Sequence, residues 1–320
     1  MDIFFYILLH NILPIMFIIL LGFLLGKIFK LETNALAKIN IYIYVPFFIF
    51  MQIYTTDMPD DILKILLFAV LLGAVNLIVA TLVARLRRYD VPMKNAFINS
   101  VLFYNCGNIG IPLITLVFSS APFVIGGQTP YLAIALTTQV VILVVQNISA
   151  NTVGFFNAGK GSMSWKVSLK SILKLPTLYA VPLAFLLKLV PFHLQDFPLW
   201  PAFEYLKDGL IGFALLTLGV QLSRTKLSFR NKDVYISNFI RLVGGPVFAF
   251  LIITLLHITG IAAQALIISS AVPTAVNTAL IAMERNNEPD FACQAVMTAT
   301  VFSSVTLVFA VFAARLLFPV

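Results

Sequence analysis

Long apolar runs alternate with short polar segments along the whole chain. A bilayer core about 30 Å thick requires roughly 20 apolar residues in a helix, and the chain contains ten runs of about that length. Runs such as 12–25 do not alternate apolar and polar positions, which favours helices over membrane β-strands. The spans are predicted at 4–29, 35–55, 61–85, 94–119, 130–156, 169–190, 203–222, 234–257, 263–284 and 291–318.

Composition supports an integral membrane protein. Of the 320 residues, 60% are hydrophobic and 11% are charged, and the mean hydropathy is +1.00. A soluble domain of this size cannot hide so much apolar surface, so a water-soluble enzyme is excluded. The apolar run 3–29 is too long for a cleavable signal peptide and is predicted to be the first span. Cys106 and Cys293 both lie inside apolar runs, so no disulfide framework is expected.

Lys and Arg cluster in the odd-numbered connections between predicted spans. The positive-inside rule places these connections in the cytoplasm and both termini outside, in the plasma (inner) membrane of a bacterium. The net charge of +8 is spread over short loops, so no nucleic-acid partner is predicted. The basic residues concerned are Lys27, Lys30, Arg85, Arg87, Arg88, Lys94, Lys160, Lys166, Lys170, Arg224, Lys226, Arg230 and Lys232.

Five spans precede a central cytoplasmic linker at 157–168, and five follow it. This layout predicts two five-helix repeats, 1–156 and 169–320. An odd number of spans per repeat inverts the second copy in the membrane, an arrangement common in secondary transporters. The predicted fold is therefore an all-α polytopic membrane protein with ten transmembrane helices.

Spans 4 and 9 carry helix-breaking clusters near their middles, at 105–112 and 269–278. Pro removes an amide donor and Gly loosens a helix, so both spans are predicted to be broken. The second half-helices should begin near Pro112 and Pro273, with free amides and about half a positive charge at each N-terminus. Side-chain donors at Asn105, Asn108 and Asn277 would complete an anion site. Four other prolines within the spans, Pro14, Pro46, Pro182 and Pro246, are interpreted as kinks.

At these clusters the sequence resembles the auxin efflux carrier family, in its short-loop bacterial form, within the bile/arsenite/riboflavin transporter superfamily. The residues that carry the resemblance are 105–112, 271–277 and 284–290. It implies that helices 4 and 9 are broken and cross at their prolines. It also implies a scaffold side from helices 1, 2, 6 and 7, a moving transport side from helices 3–5 and 8–10, and a homodimer.

The resemblance further implies transport of organic anions, such as auxin in plants and malonate or malate in bacteria. The short central linker does not imply the regulation found in plant carriers. Substrate binding is assigned by this resemblance to Asn105, Asn108, Gly110, Pro112, Pro273, Thr274 and Asn277.

Charged residues within spans are candidates for coupling or charge balance, because charge is costly in the bilayer. Arg241 could balance an anionic substrate, pair with another group or snorkel to the surface. Lys38 and Lys207 lie near span ends and are expected to snorkel. Glu204 and Asp208, at spacing i, i+4, are either proton carriers or part of a solvated rim. Separately, the motif Gly22-x-x-x-Gly26 suggests a dimer contact.

The function predicted is a secondary carrier of small carboxylates that works by alternating access within a lipid bilayer. No catalytic or metal-binding motif occurs, so neither an enzyme nor a cofactor is predicted; the segment 154–161 resembles a phosphate loop but lacks Ser or Thr after Lys160. A sodium-coupled organic-anion symporter of the bile-acid type and a non-transporting membrane sensor are the alternatives. The crossover helices carry no acidic residue at mid-span, which disfavours sodium coupling and leaves proton coupling or facilitation open.

Overall fold

A computed structural model describes residues 3–159, 173–191, 193–225 and 231–320, and these are almost entirely helical. Within them, seven helices are long and apolar enough to cross a membrane, which confirms a polytopic all-α membrane protein. In chain order the helices are α1 Ile3–Ile28, α2 Thr33–Thr55, α3 Ile62–Leu86, α4a Val91–Leu102, α4b Cys106–Phe118, α5 Leu132–Ala158, α6 Thr177–Lys188, α7 Trp200–Ser223, α8 Lys232–Leu255, α9a Gly260–Ser270, α9b Val276–Glu284 and α10 Pro289–Leu317.

Each predicted span coincides with one of these helices or, for spans 4 and 9, with a pair of short ones. The number of membrane crossings and the inverted repeat stay predictions. Most of the predicted linker, at 160–168, lies outside the described residues, as do the first residues of span 6. The predicted cytoplasmic residues Lys160, Lys166, Lys170, Lys226 and Arg230 also lie outside them.

Helices α1 and α7 pack along each other, and α2 packs against both α6 and α7. The α1–α7 contact is close because two glycines of α1 face α7. A methyl group at Gly22 would collide with the backbone carbonyl of Leu216, and one at Gly26 would collide with the Ser223 hydroxyl. The prediction that the Gly22-x-x-x-Gly26 motif marks a dimer contact is therefore wrong. Both glycines are buried against α7 of the same chain.

The remaining helices form a second group in which α3 packs on α4a, α5 and α8, and α10 packs on α9a and α9b. The first group comprises the helices of the predicted scaffold side, and the second those of the predicted transport side. Movement of one group against the other stays a prediction.

Four prolines follow wide helical turns, in which the backbone amide bonds the carbonyl five residues earlier. Proline lacks an amide hydrogen and its ring excludes the carbonyl four residues before it, and a wide turn accommodates that exclusion. The interpretation of Pro14, Pro46 and Pro246 as kinks is thus incomplete, since the helix also widens there. The turns are Leu8–Ile12, Asn40–Tyr44, Cys106–Gly110 and Ile240–Gly244.

Candidate functional site

The breaks in α4 and α9 lie against each other. One break is 103–105, between α4a and α4b, and the other is 271–275, between α9a and α9b. Their backbones pair antiparallel: the Asn105 amide donates to the Pro273 carbonyl at 2.8 Å, and the Ala275 amide donates to the Phe103 carbonyl at 3.0 Å. Unravelled backbone in a bilayer must find hydrogen bonds inside the protein, and these two breaks satisfy each other.

The second half-helices do not both begin where the sequence suggested. Helix α4b begins at Cys106, so the prediction that it begins near Pro112 is wrong: the wide turn Cys106–Gly110 absorbs the proline inside the helix. The Asn105 side-chain oxygen caps this helix by accepting from the Asn108 amide at 3.1 Å. Helix α9b begins at Val276, directly after the break that contains Pro273, and its N-cap residue, Ala275, provides no side-chain cap.

A cavity of about 570 Å³ lies beside the paired breaks, between the two helix groups. Three of the predicted site residues, Asn105, Asn108 and Asn277, line it. Further amide side chains line the same cavity from α2, α5 and α7: Asn34, Asn40, Gln146, Asn147, Asn151 and Gln221. The cavity is thus lined by many hydrogen-bond donors and acceptors in an otherwise apolar protein.

Buried polar atoms at the cavity are left unpaired. The Asn105 Nδ2 group and the Asn40 Oδ1 atom have no hydrogen-bond partner among the described residues, although both side chains are about 5% exposed or less. The Asn40 Nδ2 group donates to Asn108 Oδ1 at 2.9 Å, which ties α2 to α4b. A buried polar group without a partner is costly, so the free Asn105 amide nitrogen is suited to a ligand.

Gly110, Pro112, Pro273 and Thr274 do not line the cavity, although the sequence grouped them with the three asparagines. All four are buried behind it. Thr274 donates its hydroxyl to the Ser100 carbonyl at 2.9 Å and so holds the paired breaks together. These four residues therefore support the site from behind the cavity. Their direct contact with substrate stays a prediction.

Arg241 is fully buried, so of the alternatives left open by the sequence, snorkelling to the surface is wrong. Its guanidinium donates to the carbonyls of Val101 and Ser270 and lies 4.5 Å from the Tyr104 ring centroid. It does not line the cavity. Direct charge balance of a substrate in that cavity is therefore not supported by its position.

Glu204, Lys207 and Asp208 lie near the start of α7 and do not line the cavity. Glu204 and Asp208 are exposed. The Glu204 carboxylate accepts from the Trp200 indole nitrogen at 3.0 Å, and Lys207 lies 3.3 Å from the Asp208 carboxylate. Their positions favour the solvated rim over the proton-carrier interpretation.

Sequence reasoning missed the two charged residues of the cavity lining, Lys38 of α2 and Glu284 of α9b. Lys38 was expected to snorkel, and it is exposed where it borders the cavity. A signal was present in the spacing, because Asn34 and Lys38 are separated by one helical turn and so share a face. Within the described part of the chain, no three His, Cys, Asp or Glu side chains gather as a metal site.

Comparison with known proteins identifies the family. A family model described as membrane transport protein matches residues 7–162 and 159–311. The chain therefore belongs to this family, which is that of the auxin efflux carriers.

Two curated relatives are archaeal. An uncharacterized transporter of Methanothermobacter thermautotrophicus is 23% identical over 306 residues, covering 93% of this chain and 95% of the relative. An uncharacterized transporter of Methanocaldococcus jannaschii is 25% identical over 302 residues, covering 91% of this chain and 94% of the relative. The chain is a multi-pass membrane transport protein.

Proposed function

We propose that this chain is a secondary transporter of small organic anions, chiefly carboxylates, and that it works by alternating access around the paired breaks. The observation that carries the proposal is the uncapped start of α9b, next to the unpaired Asn105 amide nitrogen, at one cavity. Both features are hydrogen-bond donors, and the residues that carry them line the same cavity.

The electrostatics of the cavity favour an anion. The Thr278 amide donates to the Ala275 carbonyl at 3.0 Å, but the amides of Val276 and Asn277 precede the first bonds of the helix. The helix dipole places about half a positive charge there. Asn277, in the first turn of α9b, lines the cavity and can donate from its side chain. A cation would need oxygen ligands with negative charge, and Glu284 is the single carboxylate among the described lining residues, opposed by Lys38.

The dimensions fit a small acid. A volume of about 570 Å³ lies within the range of small-molecule sites, roughly 300–1,000 Å³. Malonate, malate and auxin-like acids all fit such a space, and each carries the carboxylate that the donors require.

The position of the cavity supports alternating access. Its lining extends from the breaks to Asn34 and Glu284, near the short connections that follow α1 and α9b. By the distribution of Lys and Arg the connection after α1 is cytoplasmic, and the predicted span count puts the connection after α9b on the same side. The cavity then faces the cytoplasm of a plasma-membrane protein with both termini outside. Movement of the second helix group against the first would carry the paired breaks to the other face.

Uptake by purified protein in liposomes tests this proposal. Labelled malonate, malate and indole-acetate should accumulate in proteoliposomes, and Asn108→Ala or Asn277→Ala should abolish uptake without loss of folding. Asn95→Ala is the matched control, because Asn95 lies on α4a and does not line the cavity. Normal uptake by both cavity variants would overturn the site, and an inactive wild type across the acid panel would overturn the substrate class. Uptake that requires a sodium gradient would favour the bile-acid-type symporter.

A further inference from the structure

A single guanidinium joins the ends of two half-helices on the side of the breaks that does not face the cavity. Arg241 lies in the wide turn Ile240–Gly244 of α8 and is 0% exposed. Its Nη1 group donates to the Val101 carbonyl at 3.0 Å, and its Nη2 group donates to the Ser270 carbonyl. Val101 is in the last turn of α4a, and Ser270 is the last residue of α9a.

Both carbonyls belong to helix ends that need a positive partner. The last carbonyls of a helix lack intrahelical donors, and each C-terminus carries about half a negative charge. The two ends together therefore present about one elementary negative charge, which the single charge of Arg241 matches. The Val101 carbonyl is available because the Asn105 amide, which would bond it in an unbroken helix, donates to Pro273 instead.

The residues around Arg241 fit the size and the charge of its guanidinium group. No carboxylate among the described residues lies within ion-pair distance of it, so the carbonyls are its counter-charge. The Tyr104 ring, part of the first break, covers the guanidinium at 4.5 Å. Gly245 leaves the necessary room, since a methyl group there would collide with Nη2 and with the Ser270 carbonyl.

We propose that Arg241 is a positioning residue that supplies a built-in cation for the C-termini of α4a and α9a, so that the paired breaks need no bound metal cation. It acts through the breaks and touches no substrate. Because the charge is covalently attached, it stays with the site through every transport cycle. Where it concerns uptake, the inference rests on the proposed function.

Hydrogen–deuterium exchange tests the inference without any transport. Peptides that cover 99–108 and 269–278 report the Asn105 and Ala275 amides, which bond across the breaks. In Arg241→Met, which keeps the bulk and removes the charge, exchange of both peptides should accelerate by about tenfold or more, because two charge-assisted hydrogen bonds are lost. Arg315→Ala is the matched control, since Arg315 is a half-buried arginine over the Phe123 ring, away from the breaks.

Rescue separates a charge effect from a folding effect. Arg241→Ala leaves a space for the missing group, so millimolar guanidinium should restore slow exchange of both peptides in that variant. In Arg241→Met the methionine fills the space, so guanidinium should not restore slow exchange. Arg241→Lys should show intermediate protection. Wild-type exchange in Arg241→Met, or equal loss in the Arg315→Ala control, would overturn the inference.

Carboxylate uptake with different cations is the second test of the inference. Wild-type protein should transport its carboxylate equally well when sodium is replaced by potassium or choline. A sodium requirement in the wild type would overturn the inference while leaving carboxylate transport intact. If the wild type moves no carboxylate at all, the proposed function fails, and the exchange experiment still decides the role of Arg241.

Discussion

At the scale of single residues, Asn105 combines two tasks that an asparagine can perform and most side chains cannot. Its oxygen caps α4b through the Asn108 amide, and its nitrogen is buried and unpaired at the cavity. The sequence pointed to Asn105 because Asn, Gly and Pro at mid-span signal interrupted helix. Which of the two side-chain atoms caps α4b and which stays unpaired depends on the orientation of the amide group, and no sequence pattern encodes that orientation.

Asn105→Asp separates these two tasks. The carboxylate keeps an oxygen to cap α4b, so the protein should fold, but it replaces the donor with negative charge and should abolish carboxylate uptake. Asn105→Ala removes the cap as well and should cost about 1 kcal/mol of stability in addition. Proteoliposome uptake and thermal unfolding measure the two effects. Substantial carboxylate uptake by Asn105→Asp would show that the nitrogen does not face the substrate.

Tyr89, in the connection between α3 and α4a, offers a residue-scale test outside the membrane. Its hydroxyl donates to Asp233 Oδ1 at 2.6 Å, and Arg87 donates to the same oxygen at 2.9 Å. Burial, and then the hydrogen bond to Asp233, raises the pKa of Tyr89 from 10.0 to about 12. This interaction holds the connection onto the start of α8.

Tyr89→Phe should therefore destabilise the protein by about 1 kcal/mol. A phenol whose pKa is raised on folding stabilises the fold at pH values below its unfolded pKa. The cost of Tyr89→Phe should therefore be constant from neutral pH to pH 10.0 and disappear as pH rises through about 12. Thermal unfolding against pH measures the cost, and phenolate absorbance should lack a titration near that upper value in the variant. Tyr205→Phe, at a highly exposed position, is the control; a cost equal to that of the control would contradict the role given to Tyr89.

At the scale of elements, the hydropathy pattern predicted the helices well because each membrane helix must satisfy its own backbone. The predicted break in span 4 was correct, but its second half-helix starts earlier than the proline suggested. Proline sits inside α4b because a wide turn removes its clash, as it does in α1, α2 and α8. The apolar pattern of a span does not show whether a proline breaks the helix or sits behind a wide turn, so the start of α4b could not be predicted.

The packing of α1 on α7 yields an element-scale prediction. A methyl group at Gly219 would collide with the Ile19 carbonyl and the backbone of Phe23, whereas one at Gly212, on the same helix, meets open space. Gly219→Ala should cost roughly 1–3 kcal/mol through overpacking, and Gly212→Ala should be neutral or stabilise by up to about 1 kcal/mol. Thermal unfolding in lipid nanodiscs measures both. Equal stability of the two variants would contradict this helix packing.

At the scale of the whole molecule, the sequence predicted which half-helices meet but not which side chains surround them. Lys38 and Arg241 illustrate the difference. The spacing of Asn34 and Lys38 marks one polar face of α2, but it does not show that this face borders a cavity, so Lys38 was missed. The partners of Arg241 are backbone carbonyls 140 and 29 residues away. Every residue type has a backbone carbonyl, so the sequence does not indicate which carbonyls bind an arginine.

The orientation of the molecule can be tested with single cysteines at the two ends of α2. Asn34 lies in the first turn of this helix and Asp57 lies two residues beyond its last residue, and both are exposed. In a background with Cys106→Ser and Cys293→Ser, an impermeant thiol reagent should label Asn34→Cys only from the cytoplasmic side and Asp57→Cys only from outside. The reverse pattern would contradict the assignment from Lys and Arg and would turn the cavity to the exterior.

The central claim is that a carboxylate rests against the paired breaks. Solid-state NMR measures this contact directly, with ¹³C-carboxyl substrate and ¹⁵N-asparagine protein in proteoliposomes. The substrate should be whichever of malonate, malate and indole-acetate is transported best. We predict dipolar coupling that corresponds to a carboxyl carbon within about 4 Å of an asparagine side-chain nitrogen, the range of a hydrogen-bonded pair, and its loss in Asn105→Ala. Absence of that coupling in a wild-type sample that transports the substrate would contradict the account.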